Sequence, residues 1–218
     1  MQFWLDCVAE WEAETGEQPL IALSATKDVQ DAILADPVRS KLVDIIDIRY
    51  WHYREDGSLY APEGGKNLAP RQHARKLPAG YTNGNSIYKA VSEYRTKYPD
   101  KAVMFYSGFY ERYGWEILLA GGSSATVPVR DEAFRRAAAS MSSTSDTDGC
   151  KRMSGDKGAI MRFDDAGTHA VALPAGRYAL RAVDARSGEV RTIAKSLRVN
   201  GSYALTADRG TIYWFEKL

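Results

Sequence analysis

The fold is decided by the stretch Val43-Asp-Ile-Ile-Asp-Ile-Arg-Tyr-Trp-His-Tyr53. Its apolar first half predicts a strand over residues 43–50, bounded on both sides by polar segments. It ends in the most polar and aromatic strand end of the chain. In a parallel α/β sheet, ligands bind beyond the carboxyl ends of the strands. We therefore expect functional residues at the end of this strand.

Helical and extended segments alternate on both sides of that stretch. Apolar residues recur at helical spacing and predict a helix over Gln2–Thr15. Its apolar face is wide, so we expect it to pack against another surface. Such alternation is typical of βαβ units with a parallel sheet. The remaining predictions for this half are strands at 19–24, 102–106 and 124–129, helices at 27–35, 87–98, 115–120 and 131–141, and a long loop at 54–85.

The pattern changes near residue 140. Residues 142–157 are rich in small and polar side chains, which predicts a linker. Six short extended segments separated by turn residues then fill residues 158–218, as in an antiparallel sandwich or barrel. The expected domains are therefore an α/β domain at 1–141, a linker at 142–157 and an all-β domain at 158–218.

Composition excludes several classes of function. With 29 basic and 28 acidic residues the net charge is +1, which gives no support for a nucleic-acid partner. No run approaches the roughly 18 apolar residues of a membrane span. We also expect no cofactor, because zinc spacing and phosphate loops are absent from the sequence. Thirteen Tyr and five Trp are side chains suited to stacking on sugar rings.

Candidate substrate-binding residues cluster around the central strand. Alternation places Asp47, Arg49 and Trp51 on one face and His52 on the other. The Asp47–Arg49 pair is either a buried ion pair that closes the sheet or part of a binding site, and His52 is either structural or a hydrogen-bond donor. Arg71, in the long loop, belongs either to a lid over the site or to a solvated surface.

The strand at 102–106 supplies the other candidates. It ends at Tyr106 and leads to Glu111 and Glu116. Glycoside hydrolysis usually needs two carboxylates that flank the scissile bond. Glu111 is the candidate catalytic residue, with a solvated loop glutamate as the alternative. Glu116 is expected to stabilise the start of a helix.

Three segments resemble a known group of bacterial proteins: Leu23-Ser-Ala-Thr-Lys-Asp-Val-Gln-Asp-Ala-Ile-Leu-Ala-Asp-Pro37, the stretch 43–53, and Gly64-Gly-Lys-Asn-Leu-Ala-Pro-Arg-Gln-His73. They are similar to family 5 glycoside hydrolases and related collagenase-like proteins. The resemblance implies the C-terminal half of a (β/α)8 barrel followed by a small antiparallel β-sandwich, often labelled collagen-binding. It also implies a polysaccharide or oligosaccharide partner and an extracellular or periplasmic location, although residues 1–15 lack the basic leader of a signal peptide.

The resemblance further implies incomplete catalytic machinery. In that family the acid/base glutamate ends strand four, before a helix that Gln2–Thr15 resembles, so the chain would begin after it. The nucleophile ends strand seven, where this sequence has Tyr106-Ser107. The chain alone is then an inactive portion of an O-glycosyl hydrolase, with Glu111 as a substitute nucleophile, and an open half barrel would self-associate through its edges.

The alternative is a non-catalytic module that binds carbohydrate or protein. Its binding platform would be built from the aromatic residues of the all-β domain, namely Tyr178, Tyr203, Tyr213 and Trp214. A second possibility is that the all-β domain binds nothing and only supports the barrel structurally.

Overall fold

A computed structural model describes residues 2–49, 53–54, 56–59, 83–106, 110–147 and 149–218, with the backbone alone described at 110–111 and 145–147. The chain forms two compact units. The first contains Met1–Tyr113 and Gly122–Ala125, and the second contains Gly114–Gly121 and Thr126–Leu218. The helices predicted near 115–120 and 131–141 therefore belong to the same unit as the β-rich C-terminal region.

The first unit is an α/β layer. Its elements are α1 (Gln2–Thr15), β1 (Ala22–Leu23), α2 (Lys27–Ala35), α3 (Pro37–Lys41), β2 (Ile45–Ile48), α4 (Gly84–Lys97), β3 (Ala102–Phe105) and a 3-10 turn (Tyr110–Tyr113). Predicted and observed bounds agree for α1 and α2. Helix α4 starts earlier than predicted, because the side chain of Asn83 rather than Ser86 caps it and accepts from the Ser86 N–H at 2.9 Å.

The three strands of this unit form a parallel sheet in the order β1-β2-β3. Leu23 pairs with Ile46, and Ile46 pairs with Val103. A single parallel bridge joins Met104 to Ser124, where a longer strand was predicted. The described strands form an open sheet and do not close into a barrel. The predicted parallel α/β sheet is thus present, whereas closure into a barrel is not observed in the described part of the chain.

Burial differs between the two faces of this sheet. One face carries large apolar side chains that are almost fully buried, namely Leu23, Ile46, Ile48, Val103 and Phe105. Crossover helices of βαβ units cover such a face, and α2 and α4 contribute buried residues such as Ile33 and Val91. The opposite face carries Ala22, Ile45, Asp47 and Met104, of which only Asp47 is fully buried. Among the described residues this second face is the less buried one, and we call it the open face.

The second unit begins with helices α5 (Gly114–Leu119) and α6 (Glu132–Ala139). Eight strands follow: β4 (Ser142–Thr147), β5 (Cys150–Gly155), β6 (Gly158–Phe163), β7 (Gly167–Ala172), β8 (Gly176–Asp184), β9 (Val190–Val199), β10 (Ser202–Ala207) and β11 (Thr211–Lys217). All strand pairs in this unit are antiparallel. The six strands predicted from residue 158 onward are all present.

Residues 142–157 were expected to be a linker, and the structure differs. They form β4 and β5, which pair with each other and, through β5, with β6. Lys151 and Met153 point to one side of β5 and are buried. The segment resembled a linker because β4 is an edge strand built from serine, threonine and aspartate, so it lacks the apolar alternation that indicates a strand.

The strands of the second unit form a six-stranded sheet, β4-β5-β6-β11-β8-β9, and a two-stranded sheet, β10-β7. One cluster of buried side chains from both sheets forms a common core, which includes Met161, Val171, Leu180, Leu205 and Phe215. The other face of the six-stranded sheet packs against the two helices. There the ring of Phe134 on α6 meets the Trp214 ring edge-on at 5.5 Å, and Trp115 on α5 meets Phe134 at 6.0 Å.

Within the described residues, none of the helices combines the length and apolarity needed to cross a bilayer.

Candidate functional site

Three of the predicted substrate-binding residues meet at the carboxyl ends of β2 and β3. The Arg49 Nε donates to Asp47 Oδ2 at 2.6 Å. The Arg49 guanidinium lies 5.7 Å from the centre of the Tyr106 ring. The register explains this arrangement, because Ile48 pairs with Phe105 and so Arg49 stands beside Tyr106. By strand alternation all three side chains lie on the open face, and we call them the strand-end cluster.

Burial decreases outward along the strand-end cluster. Asp47 is 5% exposed, whereas Tyr106 is 53% exposed. One carboxylate oxygen of Asp47 is held by Arg49, while the other, Oδ1, is buried without a hydrogen-bond partner among the described residues. A buried carboxylate oxygen without a partner is costly, so it marks a position where a donor from outside the described set is expected.

Ser24 is a fourth member of this face that sequence reasoning missed. Its hydroxyl is also buried and has no hydrogen-bond partner within the part of the chain that the structure describes. The pairing of Ala22 with Ile45 and Leu23 with Ile46, continued by one residue, places Ser24 beside Asp47. The only sequence signal was its position at the end of an apolar strand, which does not reveal the register.

The strand-end cluster has the chemistry of a polyol-binding surface. Asp47 can accept a hydroxyl proton, Arg49 can donate several hydrogen bonds, and the ring of Tyr106 can stack on an apolar sugar face. Arg49 links the carboxylate to the aromatic ring and so fixes their spacing. The described side chains supply one carboxylate here, and hydrolysis of a glycosidic bond ordinarily requires two.

The other predicted site residues cannot be placed in this cluster. Trp51, His52 and Arg71 lie outside the described residues. The backbone of Glu111 lies in the 3-10 turn Tyr110–Tyr113, and its side chain is outside the described set. Their roles in catalysis and binding therefore stay predictions.

A second polar cluster joins α2 and α4. The ammonium of Lys27 donates at 2.8 Å to both Asp31 and Glu93. The hydroxyl of Tyr94 donates to Asp31 at 2.8 Å, and that of Tyr53 donates to Glu93. The Lys27 ammonium also lies 4.9 Å from the Tyr94 ring centre. These groups satisfy one another, so this helix cluster stabilises the packing of the two helices.

The titration of the helix cluster follows from its burial and pairing. Burial, followed by the hydrogen bond to Asp31, raises the pKa of Tyr94 above its usual value, and burial with the bond to Glu93 does the same for Tyr53. Burial alone would lower the pKa of Lys27, but its bonds to Asp31 and Glu93 outweigh burial and the pKa is raised. All three groups are therefore held in their protonated forms.

The aromatic platform predicted for the C-terminal strands is absent. Trp214 is 0% exposed because α6 covers it, and Tyr178 and Tyr213 are buried in the core between the two sheets. Tyr203 is only half-buried but packs edge-on against Phe215 at 5.7 Å. Glu116 lies in the first turn of α5, as expected, and is also buried in a 2.6 Å ion pair with Arg162 of β6. These side chains hold the fold together.

Among the described residues, no group of three or more His, Cys, Asp or Glu side chains is arranged to hold a metal ion.

The fold and the strand-end cluster define a mixed α and β protein with a polar surface at the ends of parallel strands. The chain belongs to the DUF6298 family, described as a domain of unknown function, whose family model matches residues 1–141. No curated protein matches the chain.

Solved structures of glycoside hydrolases show a partial likeness to the chain. One, described as a glycoside hydrolase, is 9% identical to this chain with a TM-score of 0.46. The matched region covers 83% of this chain and 54% of the glycoside hydrolase. A family 44 xyloglucanase from Paenibacillus polymyxa is 15% identical with a TM-score of 0.42, and the matched region covers 87% of this chain and 50% of the xyloglucanase. A family 5 glycoside hydrolase from Bacteroides vulgatus is 10% identical with a TM-score of 0.44, and the matched region covers 81% of this chain and 51% of that enzyme. The chain thus spans about half the length of each.

Proposed function

We propose that this chain contributes a carbohydrate-binding surface to a glycoside-hydrolase-like protein, with the strand-end cluster as its centre. The observation that carries the proposal is the asymmetry of the parallel sheet. Its open face ends in a half-paired carboxylate, an arginine and an exposed tyrosine. The sequence resemblance to family 5 glycoside hydrolases supports the same class of ligand, an oligo- or polysaccharide.

The proposal includes a half barrel followed by a sandwich. Three parallel strands and the Met104–Ser124 bridge would supply strands five to eight of a (β/α)8 barrel. Closure requires further strands at both edges of the sheet, and these strands would place polar groups near Asp47 and Ser24. The test is to read the DNA upstream of Met1 for four more βα units and for the acid/base glutamate, which the resemblance to family 5 places in an Asn-Glu pair at the end of strand four. An in-frame stop codon close upstream would overturn the half-barrel proposal.

Catalysis belongs to the complete protein in this proposal. The described cluster has one carboxylate, so the chain alone is expected to bind glycan without cleaving it. In the full-length protein, Glu111→Gln should abolish release of reducing sugar while binding persists. Full activity of that variant would exclude Glu111 as nucleophile. We propose an extracellular or periplasmic site of action, which fractionation of the producing cells would test.

The binding itself can be measured on the chain. Calorimetric titration with cellohexaose and xylohexaose should detect binding, and Tyr106→Ala or Arg49→Ala should weaken it by about tenfold, as expected for loss of a stacking or charged hydrogen-bonding group. Trp4→Ala is the matched control, because Trp4 is an aromatic residue of the same unit that is 69% exposed but lies on α1. Equal loss in the control, or no binding by the wild-type chain, would contradict the proposal.

Self-association is the second consequence of an open sheet. Several large apolar side chains of the first unit are exposed, including Phe3, Trp4 and Leu20. Exposed apolar surface and open strand edges both favour association. We expect sedimentation velocity to show concentration-dependent dimers or larger species. A monomer at all concentrations, with a single sharp melting transition, would contradict this expectation.

A further inference from the structure

The two sheets of the second unit differ in width, and this leaves a groove. The six-stranded sheet faces a sheet of only two strands, β10 and β7. A groove of about 820 Å³ runs along β7 and is lined on the opposite side by residues of β4, β5 and β6. Its lining includes Arg152, Ser154 and Met161 from the wide sheet and His169 and Ala170 from β7. The groove has the position of a missing third strand in the narrow sheet.

Apart from the Ala172 carbonyl, the backbone groups on the edge of β7 that faces the groove have no hydrogen-bond partner among the described residues. Leu173 N–H donates to Gly201 at 3.2 Å on the β10 side, which fixes the alternation along the strand. In an antiparallel pair every second residue directs both backbone groups to the partner, and the others direct them away. Thr168, Ala170 and Ala172 therefore face away from β10. The bond from Arg152 Nη1 to the Ala172 carbonyl, 2.8 Å long, confirms this direction independently.

The charge of the groove indicates the kind of side chain that it accepts. Arg152 makes that one bond to β7, while its Nε is buried without a partner among the described residues. His169 lies over the ring of Phe163, with centroids 4.1 Å apart. Among the described lining residues there is no carboxylate to neutralise Arg152. An acidic group from a ligand would satisfy the guanidinium.

We propose that the groove binds an extended peptide segment, which adds to the free edge of β7 as a further strand and places an acidic side chain against Arg152. Backbone hydrogen bonds to Ala170 would fix the register of the bound strand, and the carboxylate on Arg152 would select acidic peptides. A glycan fits less well, because the aromatic ring of Phe163 is buried and its face is already occupied by His169. This site is separate from the strand-end cluster and does not depend on the function proposed for it.

Selection from a displayed library of random peptides of roughly nine residues tests the proposal on the full chain. The expected peptides alternate β-prone residues and share an Asp or Glu at one position. Arg152→Glu should weaken these peptides by about tenfold or more, as expected for a lost charged hydrogen bond. Arg191→Glu is the matched control, because Arg191 is an exposed arginine on β9. It should leave binding unchanged.

Two further measurements separate strand addition from other modes of binding. In a peptide that adds to β7, every second backbone amide faces β7. N-methylation of those amides should abolish binding although every side chain is kept, whereas N-methylation of the amides that face away should not. Bound peptide should also slow alkylation of Cys150, which lines the groove, without affecting Cys7 on α1. These controls need no variant of the protein and so do not depend on its folding.

Three outcomes would overturn the proposal. The first is a selection that yields no peptides whose binding depends on Arg152. The second is equal binding of both N-methylated forms, which would show that the edge of β7 is not used. The third is binding of xylohexaose that Arg152→Glu abolishes, which would make the groove a glycan site instead.

Discussion

The two main sheets of this protein differ in how their faces are covered. In the six-stranded sheet, one face packs against β7 and β10 and the other against α5 and α6. In the parallel sheet, one face is apolar and buried, and the other is open and ends in the strand-end cluster. Both sheets contain aromatic and charged residues, so composition alone does not separate them. Coverage distinguishes the sheet that is packed on both faces from the sheet whose open face we propose as a binding surface.

The carboxylates of the two units show the same contrast, although the Nε atoms of Arg152 and Arg181 on the six-stranded sheet are also buried without a partner among the described residues. On the six-stranded sheet, Arg162 pairs with Glu116 and Arg181 with Glu216, each at 2.6 Å. On the open face of the parallel sheet, Asp47 has one oxygen paired and one without a partner among the described residues. A carboxylate buried on a structural face would need full pairing. The half-paired state of Asp47 is therefore the stronger indication of a site.

The largest expected effect is that of Trp214→Ala, which removes the largest of the fully buried side chains on the six-stranded sheet. It should lower the free energy of unfolding of the second unit by about 3–5 kcal/mol, because the helices cannot move far enough to fill the cavity that the indole ring leaves. Urea denaturation followed by circular dichroism measures it. Trp4→Ala, at an exposed position, should cost less than about 0.5 kcal/mol. Equal effects would show that the covering of this face is misassigned.

Alkaline pH should act mainly on the helix cluster of the first unit. Lys27, Tyr53 and Tyr94 have pKa values raised by folding, so their stabilisation is complete below the unfolded values, 10.5 for lysine and 10.0 for tyrosine. It is lost as the pH rises through the folded values. Thermal melts at about pH 8 and about pH 11 should show this loss, and Lys27→Met should reduce it. An unchanged pH dependence in that variant would contradict the role of Lys27.

A smaller effect is expected for Tyr94→Phe, which removes the 2.8 Å hydrogen bond to Asp31 and leaves the ring in place. The free energy of unfolding of the first unit should fall by about 1 kcal/mol. Chemical denaturation measures the change. Tyr98→Phe is the control, since Tyr98 lies beside Tyr94 with its ring centre 6.3 Å away. A loss as large in the control would remove the argument for this particular bond.

The smallest effect on stability is expected for Tyr106→Ala. Its side chain is 53% exposed, so the free energy of unfolding should change by less than about 0.5 kcal/mol. Glycan affinity should nevertheless fall, which separates binding from folding. A destabilisation above about 1 kcal/mol would instead place Tyr106 among the structural residues.

Strong local periodicity made much of the fold predictable. The bounds of α1 and α2 agree with those expected from the sequence, and the six extended segments expected after residue 158 are all strands. Two kinds of information were missing. Edge strand β4 lacks apolar alternation, so it resembled a linker. The covering of Trp214 by α6 could not be foreseen, because alternation along β11 shows that its two faces differ but not what covers each.

The candidate site was predictable in part for the same reason. Asp47, Arg49 and Tyr106 followed from the rule that ligands bind beyond strand ends. Their mutual contacts depend on the register of β2 with β3, which local sequence does not encode. The position of Ser24 beside Asp47 depends on the register of β1 with β2 in the same way.

Nuclear magnetic resonance of the labelled chain, titrated with cellohexaose and xylohexaose, tests the central claim most directly. We expect the backbone amides at 47–49 and 104–106 to shift on binding, and we expect Tyr106→Ala to abolish the shifts. Shifts confined to the helix cluster or to the β7 groove, or no shift with either oligosaccharide, would contradict the claim that the open face of the parallel sheet binds carbohydrate.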